Sequence, residues 1–127
     1  MNAWWDSYSP GFFQEAILIQ FDLGGHSSWA AEQPVTLDVA KARAEFANKL
    51  KEQLAYEQFH PLYWLGDGGV FARPYKSPDD PDAAVNAADV AFDCFSRFRD
   101  SVEGGSKLSF RATATLISII LFPDPGH

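Results

Sequence analysis

Asp22 and Asp67 are the residues with the most chemical promise in this chain. Asp22 closes an apolar run, Ile17-Leu-Ile-Gln-Phe-Asp22, and is followed by Leu23-Gly-Gly-His-Ser27. Asp67 sits inside Tyr63-Trp-Leu-Gly-Asp67-Gly-Gly-Val-Phe-Ala72, the wording of a strand, a glycine turn and a return strand. A carboxylate at a strand end beside free backbone N–H groups can hold Mg²⁺ and phosphate together. Two such carboxylates on neighbouring strands make a site for two metal ions. Taken singly, each is also an ordinary turn. Asp-Leu-Gly-Gly ends a strand and Gly-Asp-Gly-Gly tips a hairpin without any ligand.

Other reactive side chains are sparse. His26, His60 and His127 do not have the spacing of a zinc motif. Cys94 is the single cysteine, so no disulfide forms within the chain, and a reducing, cytoplasmic location fits. Its place near a helical apolar stripe reads as a small core residue. There is no Gly-x-Ser-x-Gly elbow and no Walker sequence. Arg73 and Arg111 fall at strand positions, where they either reach phosphate or base or stand as solvated sheet charges. Trp4 and Trp5 read as core or as part of a subunit contact.

The elements that must position these residues follow from periodicity. Residues 1–13 read as an irregular arm. Residues 16–21 are nearly all apolar, which predicts a central strand buried on both faces. Ala40, Ala44, Ala47, Leu50 and Leu54 recur at helical spacing with Phe46 beside them, predicting an amphipathic helix over roughly residues 36–57. Lys41, Glu45, Lys49 and Glu52 lie mostly outside that stripe. Residues 59–65 and 70–73 read as a hairpin around a turn at 66–69. Asp80 reads as an N-cap with Pro81 at the first helical position. Ala84, Ala88, Ala91, Phe95 and Phe98 form a second helical stripe, which Gly104-Gly105 stops. Residues 108–122 predict one long strand or two short ones, and 123–127 a turn. The order strand, helix, hairpin, helix, strand predicts an α+β sandwich, its sheet covered by helices on one face.

The bulk properties agree with one domain. The chain has 127 residues, and 46% hydrophobic with 15% aromatic content suffices for a core. A net charge of −7 makes it a poor general nucleic-acid binder, although metal ions would supply positive charge at a nucleotide site. The N-terminus lacks the basic and apolar regions of a signal peptide. No apolar run approaches membrane-spanning length.

Through these motifs the chain resembles the catalytic domain of the class III nucleotidyl cyclases over roughly residues 15–127. Phe21-Asp22-Leu-Gly-Gly-His-Ser27 is similar to the family's Phe-x-Asp-Ile-x-Gly-Phe-Thr strand end, with the aspartate one position closer to the Phe. Leu65-Gly-Asp67-Gly-Gly-Val-Phe-Ala72 is similar to its Gly-Asp-x-x-x-Ala hairpin. The resemblance implies a ferredoxin-like fold, and conversion of a nucleoside triphosphate to a 3′,5′-cyclic nucleotide and pyrophosphate. It implies two Mg²⁺ or Mn²⁺ ions on Asp22 and Asp67 as metal and catalytic residues, with the Leu23 carbonyl as a further ligand. Gly24, Gly25, His26 and Ser27 would meet the phosphates, His26 standing where the family has a turn aromatic. The family's active sites form between two chains, so a homodimer is implied.

Base recognition is where the chain departs from its purine-cyclising relatives. They commonly carry Lys or Glu four residues before the second aspartate; here it is Tyr63, which reads either as a base-pocket ring favouring a pyrimidine or as an ordinary core aromatic. Asp124 falls about where the second base-reading residue would lie, and Asp-Pro-Gly is also a complete turn signal. The wording around Tyr63 and of residues 123–127 is similar to stand-alone bacterial uridylate and cytidylate cyclases of antiphage defence. UTP or CTP is then the expected substrate, with ATP next. The family's transition-state Asn and Arg lie beyond the segment matching residues 123–127, so residues 1–127 read as a single, incomplete cyclase domain. Arg111-Ala-Thr-Ala-Thr-Leu116 also lacks the family's His-x-Gly. The alternative is a catalytically silent cyclase-like module for dimerisation or nucleotide sensing.

Overall fold

Ile17, Ile19, Phe21 and Leu23 alternate along the first strand and put their side chains into one core, each no more than 9% exposed. That strand, β1 (Phe13–Gly24), opens a computed structural model that describes residues 4–7, 13–33, 37–65 and 68–120. Asp67, Asp124 and the expected turn at 123–127 lie outside the described residues. After β1 come α1 (His26–Glu32), α2 (Leu37–Tyr56), β2 (His60–Leu65), β3 (Gly68–Pro74), α3 (Asp80–Ser101) and β4 (Ser109–Ile120). Short 3-10 turns stand at Trp4–Ser7 and Gly105–Lys107.

The four strands form one antiparallel sheet in the order β2-β3-β1-β4. Helix α2 links β1 to β2 and α3 links β3 to β4, so each crossover skips a strand; this is the ferredoxin-like arrangement. The two helices pack on the same face. Phe46, Leu50 and Leu54 of α2 and Ala87, Ala91, Phe95 and Phe98 of α3 meet the inward side chains of β1. Phe110 of β4 stacks between Phe21 and Phe95, with ring centroids 5.5 and 5.0 Å away. Each fully buried Phe or Leu contributes about 1.5–3 kcal/mol. These contacts therefore fix which face of β1 turns outward, and with it the direction of Asp22.

The structure corrects four details of the sequence reading. First, the second face of β1 is buried at its start and opens towards its end: Ala16 is fully buried, Leu18 half-buried and Gln20 exposed. The outward positions lie on the face opposite α2 and α3. Second, the buried stripe of α2 is rotated from the expected one. Ala40 and Ala44 are exposed, while Phe46 is buried and Ala42 and Arg43 are half-buried. Third, an unexpected helix, α1, follows Gly25 directly. Fourth, Asp80 does not cap α3 as an N-cap does. Its Oδ2 accepts the N–H groups of Lys76 and Ser77, which precede it, at 2.6 Å each. Its Oδ1 accepts from Arg73 Nη2 at 2.8 Å.

The arm expected to be irregular carries the Trp4–Ser7 turn, which lies against the hairpin. The Trp4 indole N–H donates to the Ala72 carbonyl at 2.8 Å, and the Trp5 ring meets His60 edge-on. The register of β2 on β3 shifts between Pro61 and Tyr63. Burial pushes the His60 imidazole below its ordinary value, against the pull of Asp6. Cys94 is buried in the core as expected, and burial raises its thiol pKa. No described helix is long and apolar enough to cross a membrane.

Candidate functional site

Strand pairing brings the two motifs together. Asp22 is the register partner of Gly68 on β3 and of Arg111 on β4. Gly68, the residue that follows Asp67 in the sequence, thus lies beside Asp22 at the end of β1. Gly68 is required by this approach: a Cβ there would overlap the Phe21 carbonyl oxygen. A glycine at this position lets β3 lie against β1 where the two motifs meet.

Asp22 points to the face of the sheet opposite α2 and α3, because Phe21 and Leu23 on either side of it point into the core. Its side chain is 41% exposed. Arg111 Nη2 lies 3.4 Å from Asp22 Oδ2, and that side chain is 77% exposed. Of the two sequence readings of Arg111, a group reaching phosphate or base and a solvated sheet charge, the structure shows an exposed sheet cation that rests on the candidate carboxylate. An exposed pair of this kind contributes about 0–1 kcal/mol and opens at little cost.

The turn after Asp22 is tightly built. Gly25 has φ +75°, in the left-handed region, and a Cβ there would come within 2.6 Å of the Lys107 carbonyl oxygen. A Cβ on Gly24 would strike the Ser109 hydroxyl. The sequence reading explained these glycines by the approach of a ligand. The structure shows that the crossing of β4 and its preceding turn already demands them. Gly25→Ala is therefore expected to cost about 1–3 kcal/mol and to lower the melting temperature, as thermal unfolding followed by circular dichroism will show.

His26 opens α1, with its ring centroid 5.9 Å from that of Trp29. Trp29 is 1% exposed and its indole N–H donates to the Glu103 carbonyl at 2.9 Å, anchoring α1 beneath the turn. Ser27 is the second residue of α1, so the expected turn through Ser27 is helical from His26 onward. Leu23 is buried, with its side chain in the core.

Tyr63 is 52% exposed, which removes the reading of it as a core aromatic. It pairs with Val70, and Val70 pairs with Gln20. Tyr63 therefore belongs to the row next to that of Asp22, on the same face of the sheet, opposite α2 and α3. Two strand spacings and one two-residue step put their Cα atoms about 12 Å apart. Arg73, the other arginine considered, is committed elsewhere: it donates to Asp80 and to the Glu57 carbonyl.

Among the described residues, no three His, Cys, Asp or Glu side chains converge as metal ligands. The donor chemistry at Asp22 nevertheless fits a divalent cation. It is a half-exposed carboxylate at a strand end, held by a single exposed arginine, beside the residue that adjoins Asp67. One residue of interest escaped sequence reading. Arg43 of α2 lies three residues before Phe46, at the flank of the inward stripe, where spacing alone does not decide whether a side chain turns in or out.

This fold is that of the class III nucleotidyl cyclase catalytic domains. The guanylyl cyclase Cya2 superposes with a TM-score of 0.71 at 16% identity, over 88% of this chain and 58% of that one. The adenylyl cyclase CyaB from P. aeruginosa gives 0.70 at 11%, over 84% and 58%. The catalytic core of a rhodopsin-guanylyl cyclase in complex with ATPαS gives 0.62 at 14%, over 84% and 57%. The chain thus spans a little under three fifths of these cyclases. No family model matches the sequence, and no curated protein matches it.

Proposed function

We propose that this chain is the metal- and nucleotide-binding part of a nucleotidyl cyclase that converts a nucleoside triphosphate to a 3′,5′-cyclic nucleotide and pyrophosphate. The observation that carries this reading is the pairing of Asp22 with Gly68, which joins the two carboxylate motifs across adjacent strands. The cyclase fold supports it.

In this reading Asp22 and Asp67 hold Mg²⁺ or Mn²⁺, with the Leu23 carbonyl as a further ligand. When bound, the ions would favour the ionised ribose 3′-hydroxyl and neutralise charge on the α-phosphate. The 3′-oxygen would attack the α-phosphorus in line, its proton passing to solvent water, as the bond to the departing pyrophosphate breaks. Gly24 and Gly25 keep the backbone at the β1 end in place, and His26 and Ser27 stand where the phosphates would arrive. Arg111, which rests on Asp22 through an exposed pair, would be free to turn its guanidinium to phosphate oxygens once Asp22 held a cation.

A second copy of the chain would complete the site. One chain would supply Asp22 and Asp67 and the other Tyr63, with Asp124 as its second base-reading group. Tyr63, exposed on the same face of the sheet as Asp22, supports a pyrimidine base over a purine, because it offers a ring and a hydroxyl in place of a cation. A cyclic UMP or CMP product used as an antiphage signal is the finer form of this proposal and rests on the hairpin's wording.

The test is product formation from ATP, GTP, CTP and UTP, each with Mn²⁺, read by mass spectrometry, on this chain and on the longer native chain if one exists. The expected result is one cyclic product, abolished by Asp67→Ala. Mn²⁺ binding that survives both Asp22→Ala and Asp67→Ala would overturn the reading and leave shared topology alone.

A further inference from the structure

Arg43 is placed unlike any other arginine in the chain. Arg73, Arg97, Arg99 and Arg111 each have a carboxylate within 3.9 Å. Arg43 is half-buried and makes no ion pair or hydrogen bond among the described residues. Its position on α2 is one that the helix turns inward, next to Phe46, which is 6% exposed. Half-burying a guanidinium without a partner carries a desolvation cost that a surface position would avoid.

The space in front of it is a pocket of about 210 Å³ lined by Leu23, His26, Arg43, Phe46, Trp64 and Phe98, with small alanines of α2 completing the wall. The lining is mostly apolar, and Arg43 is the permanent charge in it. Leu23 faces the helix side of the sheet, so the pocket opens on the side opposite Asp22. It is a separate site from the carboxylate face and shares with it only the β1 end and the residue that opens α1.

We propose that this pocket binds a small organic anion. Its carboxylate or phosphate would sit on Arg43, and its apolar body would lie against Phe46, Trp64 and Phe98. The chemistry selects both halves. An apolar surround of low polarisability strengthens the charge-assisted hydrogen bonds of the guanidinium. The aromatic walls reward a ligand that brings its own apolar surface, which a bare inorganic ion does not. The volume suits a ligand of about the size of a single substituted ring, below the range of drug-sized pockets. The assignment does not depend on the cyclase reading.

The experiment follows the Trp64 indole signal by ¹⁵N NMR as the chain is titrated with benzoate, with phenyl phosphate, and with inorganic tripolyphosphate. Benzoate and phenyl phosphate are expected to give saturable shifts. Arg43→Gln should weaken both by about tenfold or more, and Arg43→Lys should recover part of the loss. Ala47→Leu, which fills the pocket and keeps the charge, should block binding as well. Circular dichroism and melting temperature establish that each variant is folded. Absence of a saturable shift with either organic anion, or equal affinity in the Arg43→Gln protein, overturns the proposal. Tripolyphosphate binding more tightly than both organic anions in an Arg43-dependent manner also overturns it, and assigns the pocket to the phosphate tail of a nucleotide.

Discussion

Asp22→Asn is expected to remove Mn²⁺ binding and to lower any cyclase turnover by about a thousandfold or more, while the fold keeps its melting temperature. The substitution is isosteric, so Phe21 and Leu23 remain in the core and β1 keeps its register. What is lost is the charge that a divalent cation requires. The only described group that Asp22 engages is Arg111, and that pair is exposed, so its loss costs at most about 1 kcal/mol. Arg111→Ala should act in the opposite direction on the metal alone. A cation at Asp22 must displace the guanidinium, so removing it should tighten Mn²⁺ binding by up to about fivefold. With a nucleoside triphosphate present the sign should reverse, because Arg111 then loses its phosphate partner. Mn²⁺ titrations followed by electron paramagnetic resonance, with and without nucleotide, read all of these. Equal Mn²⁺ affinity in the wild-type and Asp22→Asn chains would remove Asp22 from the site.

The elements that sequence reading located best are those with long, regular patterns. Helix α2 was expected at 36–57 and runs Leu37–Tyr56; the long strand option for 108–122 is realised as Ser109–Ile120. The strand-helix-hairpin-helix-strand order was enough for an α+β sandwich with helices on one face, and the resemblance supplied its ferredoxin-like form. Helix α1 was hidden because seven residues are too few to show a period, and Gly24-Gly25 reads first as a turn. Asp80 was misread because an Asp before Pro is a good cap. Its carboxylate instead gathers N–H groups from the loop behind it, a choice made by where Arg73 arrives on β3. The same limit applies to the candidate site. Asp22 and the hairpin motif were legible because turn chemistry and resemblance mark them. The inward position of Arg43 was not, since a residue at the flank of a stripe turns in or out according to how α2 rolls on the sheet. That roll is set by Phe46, Leu50 and Leu54 against β1, which depends on tertiary packing.

Asp80→Asn is expected to cost about 2 kcal/mol of stability at neutral pH, and its dependence on pH separates it from a packing defect. Asp80 is 7% exposed, and its carboxyl is held down to about 2, first by the Arg73 hydrogen bond and then by the N–H groups of Lys76 and Ser77, against the opposing effect of burial. Relative to an ordinary 3.8, this corresponds to about 2 kcal/mol of stability at neutral pH. Because the folded pKa lies below the unfolded one, that contribution is complete above about pH 4. It is lost as the pH falls towards 2. In urea unfolding at a series of pH values, the wild-type chain should therefore exceed Asp80→Asn by about 2 kcal/mol at pH 7, and the gap should close on acidification. A gap of the same size at pH 3 and pH 7 would show that the ionised carboxylate is not its source. Arg73 extends the argument to three elements. It ties β3 to the first residue of α3 through Asp80 and to the end of α2 through the Glu57 carbonyl, at 2.6 Å. Removing Arg73 alone leaves Asp80 buried with its two backbone donors and no cation, at a cost of about 3 kcal/mol or more. Replacing both partners with apolar residues should recover much of that loss, because no charge is then left stranded. The double replacement would still separate the end of α2 from β3. Its stability should therefore return further than the rigidity of the β2–β3 hairpin, and amide exchange at Val70 and Phe71 measures the difference.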